Sequence, residues 1–142
     1  MGDKHAKAFG KGIKHLHPKK LNLLVNRLTK QGAPKIIEKL SPNLETLDMS
    51  KNNIGYDSAC IISNFLSTKS ECLKVLILEE NNLINEGVSV ICDSLKTYFT
   101  IEEINFTNNN ISDDGAFSIG NMLKNSISLK KLILHWNKIK LI

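Results

Sequence analysis

The residues best equipped for chemistry are few and scattered. His5, His15 and His17 lie near the start, the last two in an H-x-H spacing. No cysteine or carboxylate cluster joins them to complete the three or four donors that a metal needs, so no metal is expected there. Cys60, Cys72 and Cys92 are too few and too irregular for a disulfide framework. No histidine is spaced to activate any of them as a thiolate nucleophile. Ser112-Asp113-Asp114-Gly115 resembles part of a calcium loop but lacks the alternating acids and closing glutamate. Acids in that run read instead as N-cap and dipole partners of a helix. Two N-x-S/T triplets, Asn105-Phe-Thr107 and Asn110-Ile-Ser112, have meaning only in an exported chain. No cofactor, no small-molecule substrate and no enzymatic activity are expected.

What does recur is asparagine. Four segments align: Leu47-Asp-Met49-Ser-Lys-Asn52-Asn-Ile54, Leu76-Ile-Leu78-Glu-Glu-Asn81-Asn-Leu83, Ile104-Asn-Phe106-Thr-Asn-Asn109-Asn-Ile111 and Leu132-Ile-Leu134-His-Trp-Asn137-Lys-Ile139. An earlier copy runs Leu21-Asn-Leu23-Leu-Val-Asn26-Arg-Leu28. The anchors Asn26, Asn52, Asn81, Asn109 and Asn137 are therefore 26, 29, 28 and 28 residues apart. Each segment alternates apolar and variable residues with period two, which reads as a short strand. Seven residues after each of the first four anchors begins a stripe of spacing three and four: Ala33/Ile36/Leu40, Ala59/Ile62/Leu66, Val88/Ile91/Leu95 and Ala116/Ile119/Leu123. That spacing is one face of an α-helix. Only the return from helix to strand varies in length, which a stacked array tolerates.

These residues resemble leucine-rich repeats of the ribonuclease-inhibitor type: LxLxxNxL, then glycine six after the asparagine (Gly32, Gly87, Gly115), then a full helix. Ser58 stands where the second repeat should have its glycine, so its turn into the helix is expected to be tighter or shifted. The resemblance implies an α/β fold, a right-handed solenoid or horseshoe segment with a parallel sheet on the concave face and helices on the convex face. One strand-helix unit cannot bury its apolar face alone, so units stack. The inward-turned asparagines are expected to form a ladder that satisfies backbone groups of adjacent turns.

The net charge of +5 is local. Residues 1–20 hold six lysines against Asp3, and the remainder is neutral. Ala6, Phe9 and Ile13 repeat the helical stripe there, and Phe9, Ile13 and Leu16 fall opposite Lys4, Lys7, Lys11 and Lys14 on a helical wheel. Residues 1–20 are thus read as a basic amphipathic cap helix, a partial repeat, and 21–142 as about 4.5 repeats whose last lacks its helix. The four lysines are a candidate electrostatic contact for an acidic surface. Lysines outnumber arginines 18 to 1, which argues against nucleic acid, whose bases are read by arginine's bidentate fork. Three apolar anchors and two glycines make a poor membrane face. The start also lacks the apolar stretch of a secretory signal, so a cytoplasmic location is expected.

The variable strand positions should line the concave face: Asn22, Asp48, Ile77, Asn105 and Ile133, flanked by Leu24, Ser50, Glu79, Thr107 and His135. Val75, Ile77, Glu79, Asn105, Ile133, His135 and Trp136 are the candidate partner-binding residues. Trp136, the single tryptophan, precedes its anchor asparagine and is expected to be at least partly exposed. The expected function is a non-enzymatic protein-interaction or scaffold module with protein partners in a larger assembly. The run at 134–139 is similar to repeats of ciliary proteins, which implies a cytoskeletal or axonemal setting. The same resemblance admits a GTPase regulator similar to the Ran GTPase-activating protein, or an enzyme inhibitor.

Overall fold

A computed structural model describes residues 1–140; the last two residues of the array expected over 21–142 lie outside the described residues. Five three-residue strands alternate with helices. The strands are β1 (Lys20–Asn22), β2 (Thr46–Asp48), β3 (Val75–Ile77), β4 (Glu103–Asn105) and β5 (Lys131–Ile133). Ahead of β1 lies α1 (Asp3–Leu16), and between successive strands lie α2 (Ala33–Ile37), α3 (Gly55–Thr68), α4 (Ile84–Leu95) and α5 (Asp113–Leu123). The sheet is wholly parallel and its strand order is the chain order. This is the α/β repeat solenoid that the resemblance to leucine-rich repeats implies.

Register places like on like. Leu21, Leu47, Leu76, Ile104 and Leu132 form one row across the sheet. One step further along the chain Leu23, Met49, Leu78 and Phe106 are buried, and beyond the anchors so are Leu28, Ile54, Leu83 and Ile111. The helix stripes close the core from the other side, with Ile36, Ile62, Ile91 and Ile119 at most 2% exposed. Each such side chain contributes roughly 1.5–3 kcal/mol on burial, and its neighbours come from adjacent repeats.

Three details differ from the sequence reading. The first repeat has no full helix: α2 covers five residues, and Leu40 is buried in the turn that follows it. Pro42 disfavours helical geometry at Ser41, and this return is the shortest of the four. The displaced turn is likewise in the first repeat, not the second. Helices α3 and α4 both begin three residues after their asparagine, whereas α2 begins seven after Asn26. Ser58 instead sits fully buried with its hydroxyl unpartnered. The third difference is the packed face of α1, which is Ala6, Gly10 and Ile13, while Phe9 and Leu16 are exposed. A Cβ at Gly10 would collide with the Lys35 carbonyl, so glycine lets α1 lie directly on the neighbouring turn of chain.

Candidate interaction site

The asparagine row is built from hydrogen bonds that cross each junction. Asn109 Nδ2 donates to the Leu78 carbonyl at 2.8 Å and the Thr107 carbonyl at 3.1 Å. Its Oδ1 accepts from the amides of Asn81 and Leu83 at 3.1 and 3.2 Å. Asn137 does the same toward Phe106, Asn109 and Ile111, and Asn52 toward Leu23, Asn26 and Leu28. Asn81 donates to Met49 and Glu79, but its buried Oδ1 has no donor. Asn26 donates only within its own turn, to Leu24, and its Oδ1 accepts from the Met1 ammonium at 3.0 Å.

A second row escaped the sequence reading. Four residues after the anchor, Asn85 Oδ1 accepts from the Ser112 amide at 2.8 Å and Asp113 Oδ1 from the Lys140 amide at 2.9 Å. Asp3 plays this part for Thr29, taking both its amide and its hydroxyl. Burial raises the Asp3 pKa, but the two Thr29 bonds and the charge of Lys35 outweigh it and hold the carboxyl below its ordinary value. Ser112 consequently does not cap α5 with its side chain: its hydroxyl accepts from Asn85 at 2.7 Å. The glycines six after the anchor admit these close approaches. A Cβ at Gly115 would stand 2.5 Å from Ile111 and 2.7 Å from Asn85.

On the concave face Ile77, Asn105 and Ile133 lie side by side in register. Ile77 and Ile133 are half-buried, as are Val75 and Glu79, while His135 is exposed. Asn105 is not a free contact: it is 9% exposed, its Oδ1 accepts from the Thr107 amide and its Nδ2 donates to Glu79. Asp48 is tied in the same way by Ser50, and Asn22 by Leu24. Such short-range bonds to the residue two on hold the polar side chains against their own backbone. Trp136 is 85% exposed at φ 57°, in the left-handed region that the residue before each anchor adopts throughout the array.

A charge row runs along the start of the sheet. Two residues before each strand leucine or isoleucine stand Lys19, Glu45, Lys74, Glu102 and Lys130, strictly alternating in sign. Lys19 meets Glu45 at 3.1 Å, Lys74 meets Glu45 at 3.7 Å and Lys130 meets Glu102 at 2.8 Å. A hydrogen bond and the charge of Lys19, then Lys74, hold Glu45 below the usual carboxylate range; Lys130 does this for Glu102. The alternation is visible once the repeats are superposed, at a position outside the motif that defines them.

The lysines of α1 do not stand alone. Lys7 and Lys11 share a hollow with Lys35 and Lys39, with Glu38 the acid among them. Burial first, then Lys39 and Lys14, push the Lys69 ammonium below its ordinary pKa. Among the described residues Lys4, Lys7, Lys11, Lys14, Lys35, Lys39 and Lys69 form no ion pair, whereas Lys19, Lys30, Lys51, Lys74, Lys96, Lys130 and Lys131 do. Among the described residues no group of three or more metal-ligating side chains comes together; His15 and His17 are exposed, and His17 ends α1 at φ 49°. Burial pushes the Cys92 thiol up to about 12, which makes it inert as a nucleophile. No helix among the described residues is long and apolar enough to cross a membrane.

A parallel sheet of identical rungs, stitched by asparagine and backed by helices, defines the class: a repeat solenoid, which offers surfaces rather than a cleft. The chain is a leucine-rich-repeat protein. The Leucine Rich repeat family model matches residues 40–59, 69–92 and 99–120. The chain is 30% identical over 99 residues to leucine-rich repeat-containing protein 45 of Gallus gallus, a match covering 70% of this chain and 15% of that protein. It is 34% identical over 84 residues to FERM domain-containing protein C of Dictyostelium discoideum, covering 59% of this chain and 6% of that one. With human NACHT, LRR and PYD domains-containing protein 13 it shares 28% over 122 residues, 84% of this chain and 12% of the relative. The chain thus spans a small part of the curated relatives it matches. Among solved structures, leiomodin-1 actin-binding site 2 superposes with a TM-score of 0.80 at 19% identity, covering 89% of this chain and 77% of that one.

Proposed function

We propose that this chain is a non-enzymatic protein-binding module that docks an acidic partner, in a cytoskeletal assembly, through the lysine field of α1, α2 and the end of α3. The observation that carries this reading is the unpaired state of seven lysines on one end of an array whose other surface lysines are mostly paired. A field of one sign raises the local concentration of an acidic partner and speeds encounter. The actin-binding neighbour in structure space and the similarity of the 134–139 run to ciliary repeats support the cytoskeletal part. Ile77, Ile133 and Trp136 offer apolar contact on the opposite side of the same rigid body, where tryptophan is a favoured anchor.

Binding of the chain to fluorescent poly-glutamate, to actin filaments and to microtubules tests this at two salt concentrations. The triple reversal Lys11→Glu, Lys39→Glu and Lys69→Glu should abolish poly-glutamate binding and flatten the salt dependence, with the circular dichroism unchanged. Equal binding by parent and variant would mean that these lysines are merely solvated. A GTP-turnover assay should show no stimulation by the chain.

A further inference from the structure

The edge of the sheet at β1 is unpaired among the described residues, and its parts specify what completes it. Helix α1 stands as the helix of a repeat does, and among the described residues no strand of its own lies beneath it. In that place is an open hollow of about 310 Å³ lined by Phe9, Ile13, Leu16, Pro18 and Leu21. In the other repeats the strand supplies a buried apolar pair instead: Leu21 and Leu23, Leu47 and Met49, Leu76 and Leu78, and Ile104 and Phe106. The backbone of β1 is half used: Lys19, Leu23 and Val25 bond toward β2, and by the alternation of a parallel ladder Lys20 and Asn22 turn their amides and carbonyls to the free side. Asn26 likewise lacks the bond that Asn52, Asn81, Asn109 and Asn137 each donate across a junction to the preceding turn.

Charge then narrows the occupant. The row Lys19, Glu45, Lys74, Glu102, Lys130 alternates in sign at every step, so the place beside Lys19 calls for a carboxylate. A second copy stacking β5 onto this edge would bring Lys130 against Lys19 and Lys131 against Lys20, which is repulsive.

We propose that the β1 edge is a strand-capture site for a protein partner that donates an extended segment of the pattern acidic-x-apolar-x-apolar. The segment pairs parallel to β1, drops its apolar side chains into the hollow under α1, sets its carboxylate beside Lys19 and gives a carbonyl to Asn26. Main-chain pairing supplies affinity and the alternate side chains supply selectivity, as in other additions to a sheet edge. The site is separate from the lysine field and does not depend on that reading.

The probe is a blocked synthetic peptide copying residues 44–54, Leu-Glu-Thr-Leu-Asp-Met-Ser-Lys-Asn-Asn-Ile, whose glutamate already occupies such a rung just before β2. Titrated into the full chain by NMR, it should shift the amides of Lys20, Asn22 and Asn26. Replacing the peptide glutamate by lysine should weaken binding by roughly three- to tenfold, the scale of a cross-strand charge pair. In the chain, Lys19→Glu should reverse that preference. Leu16→Glu should remove binding with the fold intact by circular dichroism, because Leu16 is 74% exposed. Equal affinity for the two peptides would overturn the charge rung, and no shifts, or shifts confined to β5, would overturn the site. A concentration-dependent dimer of the free chain, abolished by Leu16→Glu, would assign the edge to a second copy and overturn it as well.

Discussion

Replacing Asn109 by alanine and comparing it with the same change at Asn81 separates the asparagine row from ordinary burial. Both side chains are 0% exposed and of one type, so packing alone predicts similar losses. Their hydrogen bonding differs. Asn109→Ala strips the Leu78 carbonyl and the Asn81 and Leu83 amides of a partner, all at the buried junction between β3 and β4. An unsatisfied buried group costs about 1–3 kcal/mol, less where water reaches it, so a loss of about 3–5 kcal/mol is expected. Asn81→Ala strips only the Met49 carbonyl across its junction and also removes an oxygen that has no donor, so about 1 kcal/mol is expected. With a urea slope of about 2 kcal/mol/M, the Asn109 variant should lose roughly 1.5–2.5 M in midpoint and the Asn81 variant about 0.5 M. Urea unfolding followed by circular dichroism and by Trp136 fluorescence reads both, and divergence of the two probes would show that the array no longer unfolds as one unit. If Asn81→Ala costs as much as Asn109→Ala, the junction bonds are not what the asparagines contribute.

Glycines offer a second contrast. Gly115→Ala should destabilise by about 1–3 kcal/mol, since its Cβ would strike Ile111 and Asn85, whereas Gly120→Ala in the same helix meets nothing within 4 Å and should stabilise by about 0.5–1 kcal/mol; thermal melts decide. Ser58→Ala removes a buried hydroxyl without a partner and should be neutral or stabilising, so a lower melting temperature would reveal a hidden bond. For Asp3 the folded pKa lies below the unfolded value of 3.8, so its contact with Thr29 stabilises above that value and is lost as pH falls through the folded one. Asp3→Asn should therefore melt below the parent at neutral pH, with the gap narrowing as pH falls below 3.8; a gap that does not change with pH would mean that the charge of Asp3 is irrelevant.

The sequence by itself determined the period and the element types, and its resemblance to leucine-rich repeats implied the parallel topology. Leucines at alternate positions, an asparagine at a fixed distance and a stripe of spacing three and four read as stacked strand-helix units, because each unit can bury its apolar face only on a copy of itself. The net charge of residues 1–20 was equally legible, since charge is additive along a chain. Tertiary structure alone decided which face of α1 packs. The wheel favoured Phe9 and Leu16, but helices separated by one turn of the array must nearly touch, and Gly10 permits that where phenylalanine does not. It decided that Asn105 is spent on Thr107 and Glu79, that Lys35, Lys39 and Lys69 join the lysines of α1, and that Asp3, Asn85 and Asp113 form a second row. Apart from the Asn105–Thr107 bond, these contacts lie about one repeat apart in sequence. Contacts across a junction depend on how far one turn is offset from the next, and that offset is set by stacking, which no single repeat encodes.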